Sequence, residues 1–238
     1  MQNKRTRNTA FSLIELSIVI LIIGILIAGV TQGSKLMGKM KLKTAQSLTT
    51  SSPVLSIKNL VLWLETSLDD GLTTSQTTDG AQIYQWKSRV PSLSPFYAIR
   101  TASSAVTYAE NSPINSIPSI YFDGTGGLNL SSSTSSSNHT YINATHCNVS
   151  WFIVSKPNSI TSNGSLYTNK NVNNGYGYSI NSSTRTLSMY SVNINSSGTN
   201  LTTEPEIASY TYNAPSGYTW SPIRLYANGY TVISSTRQ

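Results

Sequence analysis

The 238-residue chain predicts an all-β body behind one long amino-terminal α-helix. Three features carry that reading. Residues 11–30 hold a single charge, Glu15, in an otherwise apolar run; Pro53 closes the helical pattern; and short alternating β-branched and aromatic runs fill the rest, with no helical stretch between them. At about 150 residues per domain the length allows one or two domains.

Charge divides along the same boundary. The net +7 is concentrated in residues 1–52, with seven basic groups and one acid, while residues 53–238 carry nine and eight. A nucleic-acid domain would spread Lys and Arg over a folded face, and here the body is nearly neutral, so nucleic acid is not an expected partner. One cysteine, Cys147, rules out an intramolecular disulfide framework and a Cys-only zinc site.

The run Phe11 to Val30 makes a helix of about 30 Å, the hydrocarbon thickness of a bilayer. Lys4, Arg5 and Arg7 precede it and Lys35, Lys39, Lys41 and Lys43 follow, so the basic count does not orient it. A secretory signal would also have a basic start and an apolar core, but Ala28, Gly29 and Gly33 make a poor A-x-A cleavage site. Glu15 is the anomaly under either reading. An ionisable residue beside the bilayer is expensive and points to function.

Ala10-Phe11-Ser12-Leu13-Ile14-Glu15-Leu16 resembles the class III signal of type IV prepilins and type II secretion pseudopilins. The resemblance covers residues 1 to about 50 and implies a leader over residues 1–10 and a transmembrane, pilin-like helix over 11–52. It implies that a prepilin peptidase cuts between Ala10 and Phe11, that Phe11 becomes the N-methylated terminus, and that Glu15 is kept at the fifth mature position. The family usually has Gly before the cut; Ala10 keeps a small residue there. The unmasked amine, with an intrinsic pKa of about 8, would be cationic in an apolar filament core. The resemblance makes Glu15 of an adjacent pilin-like subunit its counter-ion, each charge rendering the other tolerable.

Beyond the apolar run, Lys35, Lys39 and Lys43 recur every four residues, with Leu36 and Met40 on another face, as in a helix leaving the apolar phase. The lysines read as a solvated stripe or as a contact with anionic lipid headgroups. Thr49 to Pro53 then ends the helix, because Pro cannot continue it.

The body, residues 53–238, predicts strands at Leu60–Glu65, Gln82–Trp86, Val106–Ala109, Ser119–Phe122, Val149–Ser155, Gly177–Ile180, Thr186–Ser191, Ile207–Tyr212, Ile223–Ala227 and Tyr230–Ile233. Asn228-Gly229 is the strongest hairpin signal, because both residues tolerate positive φ. Asp79-Gly80, Asn163-Gly164 and Asn174-Gly175 mark further turns. Without intervening helices, an antiparallel β-sandwich is the natural arrangement.

Leu60 to Glu65, then Gln85-Trp86, then Pro118-Ser119-Ile120-Tyr121-Phe122-Asp123-Gly124 resemble the opening half of bacterial LamG-like, concanavalin A-like jelly-roll domains. Ser150 to Val154 and Arg224 to Gly229 resemble later strands, so the likeness spans residues 60 to about 233. Glu65 stands where that family usually has Asp, and Lys87-Ser88-Arg89 replaces its usual turn. The resemblance also implies closing strands with no counterpart before Gln238, so an exposed edge or apolar face, trimmed or covered by a partner, is expected.

Catalytic constellations are sparse. Glycoside hydrolysis needs two carboxylates about 5–9.5 Å apart. The eight body acids, Glu65, Asp69, Asp70, Asp79, Glu110, Asp123, Glu204 and Glu206, do not form the Glu-x-Asp-x-x-Glu strand of laminarinase-type jelly rolls, and Glu204-Pro205-Glu206 reads as solvated charge. No enzymatic activity is therefore expected. His139, His146 and Cys147 match no zinc spacing. Asp123 with Asn129 is a weak candidate for calcium; no other cofactor is expected. Trp63, Trp86, Trp151 and Trp220 read as core rather than sugar-stacking residues.

Together these readings describe a bacterial inner-membrane, single-pass, pilin-like or pseudopilin-like protein with its body in the periplasm or on a filament. Lectin-like recognition of a glycan or surface partner, implied by the second resemblance alone, is the leading expectation for the body. The alternatives are a type II secretion pseudopilus subunit with an inert head, or a carbohydrate hydrolase.

Overall fold

The computed structural model describes residues 12–68, 70–92, 95–100, 105–131, 149–159, 164–171, 174–181, 184–189, 192–195, 202–212 and 223–235. Among these residues one α-helix, α1 (Leu13–Thr50), is followed by a body in which every strand pairing is antiparallel. The helix-then-sheet architecture is the one that the sequence patterning predicts.

No residue of α1 is buried within the chain. Its first half is a bare apolar rod: Leu13, Ile14, Leu16, Ile20, Ile25 and Val30 are all more than half exposed. In its second half a stripe at Gly38, Leu42, Ala45, Gln46 and Thr49 is half-buried, and the three- and four-residue steps place these positions on one face against the body. Gln46 Nε2 donates to Ser67 O at 3.0 Å, and the Thr49 and Ser67 hydroxyls lie 3.0 Å apart. The helix ends at Ser51, and Ser52 Oγ accepts from Val54 N at 3.3 Å to start a 3-10 turn at Pro53–Ser56.

The first part of the body holds a three-stranded sheet, in which β2 (Tyr97–Arg100) is flanked by β1 (Gln85–Lys87) and β5 (Leu128–Ser131), and a two-stranded ribbon of β3 (Val106–Ala109) and β4 (Ser119–Phe122). Leu72, Ile83, Val106 and Tyr108 form the core between them, with Trp86, Ile120 and Leu128 packed against it. The second part holds two four-stranded sheets. One runs β7 (Gly164–Asn171), β8 (Asn174–Asn181), β9 (Thr184–Met189) and β10 (Val192–Asn195) as a meander. The other orders β6 (Val149–Ser155), β11 (Glu206–Tyr212), β12 (Ile223–Ala227) and β13 (Tyr230–Ser235).

The β12–β13 turn is built as the sequence signals: Asn228 has φ 50° and Gly229 φ 84°. Asparagine serves the first position because its side chain also works, Oδ1 accepting from Ile207 N at 2.8 Å while Asn228 N donates to Ile207 O at 2.9 Å. The expected turn at Asp79-Gly80 forms, with Gly80 at φ 76°. Asn174-Gly175 instead opens β8, paired with Asn171 and Lys170.

Leu60–Glu65, expected as a strand, makes no ladder. Single bonds hold it: Trp63 N donates to Ser88 Oγ, Arg89 N to Trp63 O, and the Trp86 indole to Glu65 O. Glu65 then turns the chain by accepting from Ser67 N and Leu68 N, which uses the amides that a continuing strand would need.

On β6 and β11, Trp151, Ala208 and Tyr210 point inward, while Phe152, Val154 and Ile207 point outward and are 73, 59 and 54% exposed. These three side chains make an apolar outward face on this sheet.

Ile83 is fully buried at the centre of the core. Ile83→Ala should lower stability by about 3 kcal/mol. Tyr230→Ala, at an 80% exposed position, should stay within about 0.5 kcal/mol. Urea unfolding of the detergent-solubilised full chain, followed by tryptophan fluorescence, checks both.

Candidate functional site

The first candidate site is the start of α1. Ser12 is the N-cap residue, and Glu15, three residues on, returns its carboxylate to the cap: Oε2 accepts from Ser12 N at 2.9 Å. A carboxylate in the first turn also faces the positive end of the helix dipole. Ser12-x-x-Glu15 before an apolar run is a capping-box pattern, a sequence signal that a reading centred on the charge of Glu15 passes over. Ala10 and Phe11, the expected cleavage pair, lie outside the described residues.

One charge network lies beside Ser67, the residue that Gln46 and Thr49 of α1 contact. Glu65, only 12% exposed as a side chain, accepts from Ser67 N at 2.8 Å, Ser67 Oγ at 2.6 Å and Leu68 N at 3.1 Å. Arg89 Nη1 lies 3.5 Å from Glu65 Oε1 and 2.7 Å from Asp70 Oδ1, and its guanidinium sits 5.2 Å from the Trp63 ring centroid. Beside this network Asp70, Lys87, Ser88, Arg89, Val90, Pro91, Ser92 and Pro95 line an open cleft of about 190 Å³.

The other acids are spread through the head. Asp79 Oδ1 accepts from Glu110 N at 2.9 Å, and Asp123 Oδ1 accepts from the amide and hydroxyl of Thr125 at 2.8 and 2.7 Å. Glu110 and Glu204 are exposed, and Asp69 lies outside the described residues. Glu206 corrects the reading of Glu204-Pro205-Glu206 as solvated charge, because it is only 5% exposed. It shares the inward parity of Ala208 and Tyr210 on β11, a period-2 signal that outweighs the neighbouring proline.

Among the described residues no group of three His, Cys, Asp or Glu side chains could hold a metal ion. Asp123, the calcium candidate, spends Oδ1 on its own turn. His139, His146, Cys147 and Trp220 lie outside the described residues. Trp86 packs on the core, Trp151 lies 6.4 Å from Tyr210 in a stacked arrangement, and Trp63 is half-buried under Arg89.

Residues 5–31 match the prokaryotic N-terminal methylation motif. No curated protein and no solved structure matches the chain. The motif supports a type IV pilin-like or pseudopilin-like protein, and it implies processing by a prepilin peptidase and assembly with other pilin subunits. With the apolar helix it also supports membrane anchoring.

The Thr125 hydroxyl, and then its amide, hold the Asp123 carboxyl below its ordinary value. A depressed folded-state pKa contributes stability above the unfolded value of about 4, lost as pH falls through the lower folded value. Thr125→Ala should raise the Asp123 pKa, read by NMR titration. Its stability difference from wild type should shrink toward zero on acidification through that range.

Proposed function

We propose that this chain is a membrane-anchored, pilin-like or pseudopilin-like subunit, cut before Phe11, whose helix packs into a filament. In this reading the β-rich head stands outside the cytoplasm for adhesion or recognition and catalyses no reaction. The observation that carries the proposal is the methylation motif over residues 5–31, set on a helix whose apolar half the chain leaves uncovered. Such a surface needs lipid before assembly and neighbouring helices after it. Recognition by the head rests on the likeness of Leu60–Glu65, Gln85-Trp86 and Pro118–Gly124 to lectin-like jelly rolls. Half-buried Glu65, bound to Arg89 and to the turn beyond it, has a structural task that competes with acid catalysis.

Mass spectrometry of the membrane-extracted protein should find methylated Phe11 as the first residue; an intact Met1 or a start beyond Gly33 overturns the processing. Glu15→Ala should leave cleavage intact and abolish assembly, scored by filament recovery. Glu15→Gln separates the two tasks of this residue, since Gln can still accept from Ser12 N but carries no charge. It should fail like Ala, and normal incorporation of the Gln variant would refute the counter-ion role. Glycan-array binding by the full chain tests recognition, with an inert head as the opposing result.

A further inference from the structure

Resting on that anchored-helix reading, we infer that Lys35 and Lys39, supported by Lys41 and Lys43, form a basic collar that binds the anionic phospholipid headgroups of the membrane that α1 crosses. The four lysines are exposed, and none has an acidic partner among the described residues. Between Glu15 and Glu65 the sequence contains no acid at all, and Glu65 is engaged by Arg89. The excess charge on this half of the helix is therefore uncompensated among the described residues.

The fold positions the collar. The head occupies the stripe Gly38, Leu42, Ala45, Gln46 and Thr49; Lys35 lies on that same face about one turn nearer the membrane, Lys39 and Lys43 lie to one side of it and Lys41 to the other. At 1.5 Å per residue, Lys35 lies about 7.5 Å and Lys39 about 13.5 Å beyond Val30, the end of the apolar run. The headgroup layer on each side of a bilayer is about 5–7.5 Å thick, so the Lys35 backbone stands at its outer edge and its side chain leans into it. Helical side chains lean toward the amino terminus, here toward the membrane, so the long stem of Lys39 carries its ammonium back to the same layer. Lys41 and Lys43 stand higher and act through the surface field, which decays over about 8–10 Å at physiological salt. In the anchored reading the headgroups already lie at this level of the helix, whereas an acidic protein partner would have to be recruited to it.

The test uses the full chain in lipid nanodiscs, either of phosphatidylcholine alone or with about one third phosphatidylglycerol. Lysine acetylation is timed and mapped by mass spectrometry, with exposed Lys58 and Lys87 in the body as references. Phosphatidylglycerol should slow labelling of Lys35 and Lys39 by roughly threefold or more, and about 0.5 M salt should abolish the difference, with the references unchanged. Equal rates in the two lipids overturn the inference while leaving anchoring intact. Protection that is independent of lipid and grows with protein concentration overturns it in favour of an acidic protein partner. Failure to enter either disc overturns the anchored reading and the collar together.

Discussion

The structure depends on the first half of α1 having no partner among the described residues. Eighteen residues from Leu13 to Val30 form a helix of about 27 Å, nearly the thickness of a hydrocarbon core. At about 25 cal/mol per Å² of apolar surface, leaving this rod in water would cost more than a small domain's whole stability. The chain is therefore incomplete as a soluble monomer. Lipid and other apolar helices are the environments that satisfy it, and in both every backbone group is already paired inside the helix.

The second half of the helix answers a different demand, that of joining an apolar rod to a polar head. Gln46 and Thr49 meet Ser67, Ser67 meets Glu65, and Glu65 meets Arg89, which lies over Trp63 and reaches Asp70. The Trp86 indole adds a bond to Glu65 O and leans on the core, so the chain of contacts runs from the helix surface into the head. Salt bridges at a surface contribute little, but here the carboxylate is half-withdrawn from water and bonded to backbone amides as well, which makes its geometry specific. The head is thereby joined to α1 by side chains in addition to the segment after Pro53.

The sequence disclosed what depends on local pattern. The apolar run, the break at Pro53, the Asn228-Gly229 hairpin and the strands Val106–Ala109, Ser119–Phe122, Val149–Ser155 and Ile223–Ala227 were all legible, because periodicity and turn chemistry act within a few residues. Tyr97–Arg100, Leu128–Ser131, Gly164–Asn171 and Val192–Asn195 were not. Stretches such as Thr168 to Asn171 have poor strand propensity and are extended by the neighbours they pair with. Leu60–Glu65 failed in the opposite sense: its apolar run suits a strand, but Ser88 and the Glu65 carboxylate take up the bonds a ladder would use. At the amino terminus Glu15 was conspicuous by its charge alone; its bond to Ser12 N follows from spacing. The Glu65–Arg89 pairing joins residues 24 apart and had no local signal.

In the proposed assembly Glu15 faces two positive charges at one end of the rod. The helix begins at Leu13 with Ser12 as its cap, so a cut before Phe11 would leave the amine one residue from the cap, beside the dipole's positive end. The dipole amounts to about half a charge and a protonated amine to one, so a single carboxylate per helix leaves a small positive remainder. Stacking helices in register would bring like ends together and accumulate that remainder. A stagger that sets each amine against a neighbour's Glu15 spreads it along the filament instead. A carboxylate has lone pairs for about four contacts, so holding Ser12 N does not exhaust it. One residue can therefore start its own helix and, in the proposed assembly, fix the register of the next.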